Sequence, residues 1–181
     1  WREDRPWLSE SEWRFLRWVK SPRLILDLQR RRVTRFFGHL RVKQPSVRCR
    51  VIGLGTSGRF PAWIEDRRVA RFTEAEERET ARLCAESRVG VGVHGSNMLL
   101  PSGLAGMTLE LMPEGKWDCV PEDILFAETD PRLAVFRYRF VPVGTTPRLA
   151  AAIVHSMVKQ SRELPRFFTE DHDGHPAGRR K

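Results

Sequence analysis

The chain has no apolar run approaching the roughly 18 residues that a membrane-spanning helix requires, so no span is expected. It has three cysteines, Cys49, Cys84 and Cys119, an odd number, far apart and without a Cys-x-x-Cys pair. Neither a disulfide framework nor a zinc cage follows from that spacing, and a reducing, cytoplasmic compartment is the simplest expectation. Asparagine occurs once, at Asn97, and only five of the 32 basic residues are lysine. That skew points to GC-rich coding and weakens nucleic-acid binding as the explanation of the formal net charge of +9.

The strongest basic cluster, RRRVTR at 30–35, lies among Leu24, Ile25, Leu28, Val33, Phe36 and Phe37, whose spacing is close to helical. A solvated helix face is therefore expected there, not a stripe that tracks phosphates, and no specific nucleic-acid partner.

What is present is the composition of a soluble globular protein, 40% hydrophobic and 30% charged, in 181 residues, enough for one domain with an attached segment. The opening WREDRPWLSESEWRFLRWVK already reads as structured sequence and lacks an initiator Met. It is expected to be the end of a longer N-terminal part that holds some of the function.

Ser9-Glu-Ser-Glu12 predicts a capping box before a helix carrying Trp13, Leu16 and Val19, ended by Ser21-Pro22. A second helix is expected from about Arg23 to Phe37, stopped by Gly38, with VKQPS at 42–46 as a joint. From Val47 the pattern becomes strand and helix in alternation. VRCRVIGL, VARF (69–72), VGVGV, MTLELM and AVFRYRFVPV are strand candidates.

Thr73-Glu-Ala-Glu76 opens an amphipathic helix with Ala75, Ala81, Leu83 and Cys84 toward a core. Short helices are expected near 97–104 and 121–126, and Pro147 starts the last one.

The alternation predicts an α/β fold, a Rossmann-like three-layer sandwich with a mostly parallel sheet, preceded by a short helical segment. The expected divisions are a helical lead-in at 1–46, a nucleotide-sugar-binding domain at 47–163, and a disordered polar tail at 164–181.

In such a sheet ligands sit beyond the carboxyl ends of the strands. There VGVGV runs into His94-Gly95-Ser96-Asn97, ahead of an apolar helix and a second strand closing on Glu110-Leu-Met-Pro. Gly95 allows close approach to a ligand, and the N–H groups that follow suit phosphate. The plain alternative is a helix start capped by Ser96 or Asn97. The turn GLGTSGR, with Gly53, Gly55 and Gly58, misses the spacing of a dinucleotide fingerprint. Its Arg59 is the first candidate for a bidentate diphosphate clamp, with Arg67 and Arg68 behind it.

The stretch SRVGVGVHGSNMLLPSGLAGMTLELMP resembles the donor-domain motif of the family-61 glycosyltransferases: an apolar strand, His-Gly-Ala/Ser-Gly/Asn, an apolar Pro-containing helix, and a strand closing on Glu-Leu-Phe/Met-Pro. FTEAEERETARLCAESR is similar to the acidic helix before it. The likeness covers about residues 72–113 well and 47–160 loosely.

It implies a GT-B architecture in which this chain supplies the C-terminal donor domain. His94, Gly95, Ser96 and Asn97 would face the diphosphate and sugar, and Glu110 the ribose. The implied donor is a nucleoside-diphosphate sugar, the partner a glycan or other hydroxyl acceptor.

The sequence departs from that pattern at Asn97-Met98-Leu99-Leu100, and no general base stands out, with His94, Asp66 and Glu110 all open. No DxD triad lies near the motif. Asp171-His-Asp173, with His175, matches only in the tail, and no metal or other cofactor is assigned. Besides an enzyme, a non-catalytic Rossmann-like module that binds a nucleotide or a partner fits the same residues. Nucleic-acid association through 30–35 would show itself by steep salt dependence.

Overall fold

A computed structural model describes residues 1, 3, 6–120 and 137–170, the last nine of these as backbone only. Two helices lead in. The first, α1 (Glu10–Trp18), opens on a complete capping box: Ser9 Oγ accepts from Glu12 N–H (3.3 Å), and Glu12 Oε2 accepts from Ser9 N–H (2.8 Å).

The second, α2 (Pro22–Lys43), runs past the expected stop at Gly38. A mid-helix glycine costs about 1 kcal/mol. Phe36 and Leu40, both buried here, return about 1.5–3 kcal/mol each, so packing carries the helix through. It ends at Gln44, where Pro45 restricts the preceding residue.

Among the described residues five short strands follow: β1 (Arg50–Leu54), β2 (Glu65–Val69), β3 (Gly90–Val93), β4 (Thr108–Met112) and β5 (Tyr138–Pro142). Every pairing is parallel, β1 with β2 and then β3 with β4 and β4 with β5. The fold is thus α/β with parallel strands, but the single sheet expected of a three-layer sandwich is divided into a two-stranded and a three-stranded piece. Strand β3, from VGVGV, stands at the end of the larger piece. Strand β2 begins four residues before the expected VARF, and Phe72 is exposed.

Between the strands lie α3 (Glu74–Ala85), which has the Thr73–Glu76 capping box, and α4 (Leu99–Leu104), entered through a 3₁₀ turn at Ser96–Met98. Leu83 and Cys84 of α3 are buried as expected, whereas Ala75 is exposed. The last helix, α5 (Pro147–Glu170), starts at Pro147 and continues through 164–170, where a disordered tail was expected. The expected helix at 121–126 and the Asp171–Asp173 run with His175 lie outside the described residues.

The main core lies on one face of the three-stranded sheet. Met107, Leu109 and Leu111 meet Phe36 and Leu40 of α2 and Ala150, Ala151, Val154, Met157 and Val158 of α5. Trp7 ties the lead-in to this core by donating from Nε1 to Thr145 C=O (3.0 Å). On the opposite face α4 lies close because β3 has no side chains there. A Cβ on Gly90 would stand 3.1 Å from Pro101 Cβ, and one on Gly92 2.3 Å from Met98 Sδ. This explains the alternation in VGVGV: its valines go to the core and its glycines admit α4.

Candidate functional site

His94 extends β3 by one rung, its N–H donating to Leu111 C=O (3.0 Å). Its ring turns to the α4 face, where Nδ1 stands 2.8 Å from Glu110 Oε2. His94 is 8% exposed and Glu110 1%. Such a pair orients the imidazole, with Nδ1 held toward the carboxylate. Glu110 was expected to take a ribose; buried against His94, it does not line the cleft described below.

Gly95 has φ 146° and ψ −179°, a region essentially reserved for glycine, so the residue is needed for the turn itself. The turn closes through Met98 N–H to Gly95 C=O (2.7 Å). Ser96 and Asn97 make no side-chain cap at this turn or at α4, contrary to the plain helix-cap reading. Asn97 instead donates from Nδ2 to Val93 C=O (3.3 Å). Its Oδ1 is shielded from solvent with no hydrogen-bond partner.

Ser96 and Asn97 line a cleft of about 730 Å³ that runs between β1 and β3. Its walls are mainly apolar: Val33 and Phe36 of α2 on one side, Leu83 and Cys84 of α3 and Met98 on the other. Burial pushes the Cys84 thiol above its ordinary range, and that of Cys49 up to about 11. Both are neutral thiols at pH 7, unsuited to act as nucleophiles.

The glycine-rich turn after β1 is filled by the chain itself. A Cβ on Gly53 would fall 2.2 Å from Trp1 O, while positions 55 and 58 meet Glu3 and Arg30 side chains. Arg59 is exposed and lies outside the cleft lining, so the structure does not bring it to Ser96 and Asn97. Arg67 pairs with Glu65 (2.8 Å).

Arg68 is a structural strut. It donates to both oxygens of Asp66 (2.8 Å each), to Ser57 C=O (3.0 Å) and to Gly58 C=O (2.8 Å). Its Cζ also stacks 4.8 Å from the Trp1 ring centroid and 4.7 Å from that of Phe60. The Arg68 guanidinium holds the Asp66 carboxyl below its usual range, which makes Asp66 a poor general base.

Sequence reading missed Trp1 as a sheet residue and Met98 as the peg under the turn; nothing local in the sequence marks either. Among the described residues no cluster of His, Cys, Asp and Glu has a metal-binding arrangement, and no helix is long and apolar enough to cross a membrane. No family model, curated protein or solved structure matches the chain.

Proposed function

We propose that the chain binds a nucleoside-diphosphate sugar at the carboxyl ends of its strands, as the donor-binding part of a glycosyltransferase acting on a hydroxyl acceptor. The observation that carries this reading is the cleft between the two sheet pieces. β1 lines it and leads away to β2, β3 lines it and leads away to β4 and β5, and the end of β1 and the Ser96–Asn97 turn after β3 border its mouth, the kind of place where parallel α/β sheets take ligands.

The N–H groups of Ser96 and Asn97 precede the first hydrogen bond of their turn and are suited to phosphate oxygens. Asn97 has an unpartnered amide oxygen, and a turn of its side chain into the cleft it lines brings that acceptor to a sugar hydroxyl. The resemblance of residues 72–113 to family-61 donor motifs supplies the sugar-transfer class.

The non-catalytic reading, a module that binds the nucleotide and transfers nothing, has its own support: His94 is buried against Glu110, and Asp66 is occupied by Arg68. Calorimetric titration with uridine, guanosine and adenosine diphosphates and their hexose esters tests both. Binding of one of them, weakened about 5- to 30-fold by Asn97→Ala and unchanged by Arg31→Ala, is the expected result. No binding by the parent chain, or equal affinity in both variants, removes the site from this turn. Binding with no sugar release to water or to added acceptors selects the module.

A further inference from the structure

The two pieces of sheet face each other with open edges. Cys49 C=O accepts from Glu65 N–H and Gly55 N–H donates to Val69 C=O, so the odd-numbered residues of β1 serve β2. By alternation Arg50, Ile52 and Leu54 turn their amide groups away, toward the cleft. On β3, Gly90 N–H donates to Met107 C=O and His94 N–H to Leu111 C=O, which turns Val91 and Val93 the other way, also toward the cleft.

One residue already occupies this gap. Trp1 N donates to Ile52 C=O (2.5 Å), and Leu54 N–H donates to Trp1 C=O (3.1 Å), the pattern of a parallel ladder with Trp1 opposite Gly53. The rung below, Arg50 C=O and Ile52 N–H, has no strand beside it among the described residues.

We infer that the cleft is the slot of a sixth parallel strand, contiguous with Trp1 on its amino side, that joins β1 to β3 and makes one sheet of the two pieces. A strand fits the space. Five residues at about 3.3 Å each, with strands about 4.8 Å apart and layers about 10 Å apart, fill roughly 800 Å³. The cleft holds about 730 Å³.

Its chemistry agrees, because a central parallel strand is covered on both faces. The slot has α2 side chains above and α3 side chains below, so the occupant is a continuous apolar run. Direction agrees as well: the segment must run parallel to β1 and end at the rung that Trp1 holds. Counted from this strand, the sheet order becomes 3-2-1-4-5-6, that of a doubly wound dinucleotide-binding sheet. The strand's carboxyl end, at Trp1, then faces the Ser96–Asn97 turn, so the strand fills the body of the cleft and the proposed donor site is its mouth.

The test is a chain carrying Lys-Val-Val-Ile-Val-Val directly before Trp1, compared with a Gly/Ser extension of equal length, read by amide hydrogen exchange. The apolar extension should slow exchange at Ile52, Val91 and Val93 about tenfold or more relative to the Gly/Ser chain. A proline two residues before Trp1 has no N–H for Arg50 C=O and its ring crowds β1, so it should unseat the added strand and reduce the gain at Ile52. If the extended chain aggregates, the same hexapeptide added to the parent chain reads the same amides and should protect them in the same way.

Equal exchange in the apolar and Gly/Ser chains, with no protection by the added peptide, overturns the inference. Protection in the parent chain that rises with protein concentration also overturns it, in favour of a strand from a second copy. Nucleotide titration is independent of these readouts, so the strand slot and the donor site fail separately.

Discussion

The two pieces of sheet are built on different physics. In β4 all five residues, TLELM, are buried, and Leu109 and Leu111 pack under α2 and α5. In β2, EDRRV, the side chains are held by charge: Glu65 bridges Arg50 and Arg67, and Asp66 grips Arg68 under two aromatic rings. Burial is insensitive to salt and pH, whereas paired charges at a partly wet surface are weak individually and titrate. The three-stranded piece is therefore the stable nucleus of the molecule, and the two-stranded piece an attachment whose security depends on conditions.

The largest test of that contrast is Leu109→Ala. The side chain is 0% exposed, so its removal leaves a cavity and should cost about 2–5 kcal/mol by chemical denaturation. A loss below about 1 kcal/mol would deny the nucleus its place under α5.

Acid comes next. Asp66 has its folded pKa lowered by the Arg68 hydrogen bonds, so its contribution is fully present above the unfolded value, about 3.9, and is lost as pH falls through the lower folded value. As pH falls below about 4, protection factors at β2 amides should drop before those at β4 amides. Simultaneous loss of both would make the two pieces one cooperative unit.

The smallest effect is expected from Arg78→Ala on α3. Arg78 pairs with Glu74 four residues earlier, both about 80% exposed at the side chain, and stability should change by no more than about 0.5 kcal/mol. A larger change would mean that Arg78 serves the cleft it borders.

How much was legible follows the same division. Strands β3 and β4, both capping boxes and the start of α5 were readable because burial and backbone chemistry fix residue types locally. Strand β2 was not: EDRRV has the composition of a loop, and its partners, Arg50, Phe60 and Trp1, lie up to 67 positions away. The helix through Gly38 was missed because a local cost was overruled by distant packing.

At the site, His94, Ser96, Asn97 and Glu110 were all singled out, but periodicity could not show that His94 and Glu110 would turn to each other behind the cleft. Nor could it show that Arg59, one residue beyond a crowded glycine, would point to solvent. The break between β1 and β3 depends on which edges meet, a property of the sheet as a whole.

Met98 sits beneath the turn, 4% exposed, with its sulfur in the space that a side chain on Gly92 would need. The backbone carrying Ser96 and Asn97 is thereby pinned to the sheet before anything binds. A ligand arriving there has no loop to freeze, so little of its interaction is spent on ordering the protein. The cost appears as tolerance. A pinned mouth discriminates by shape, and ligands even slightly too large meet a rigid wall where a floppy loop would have made way.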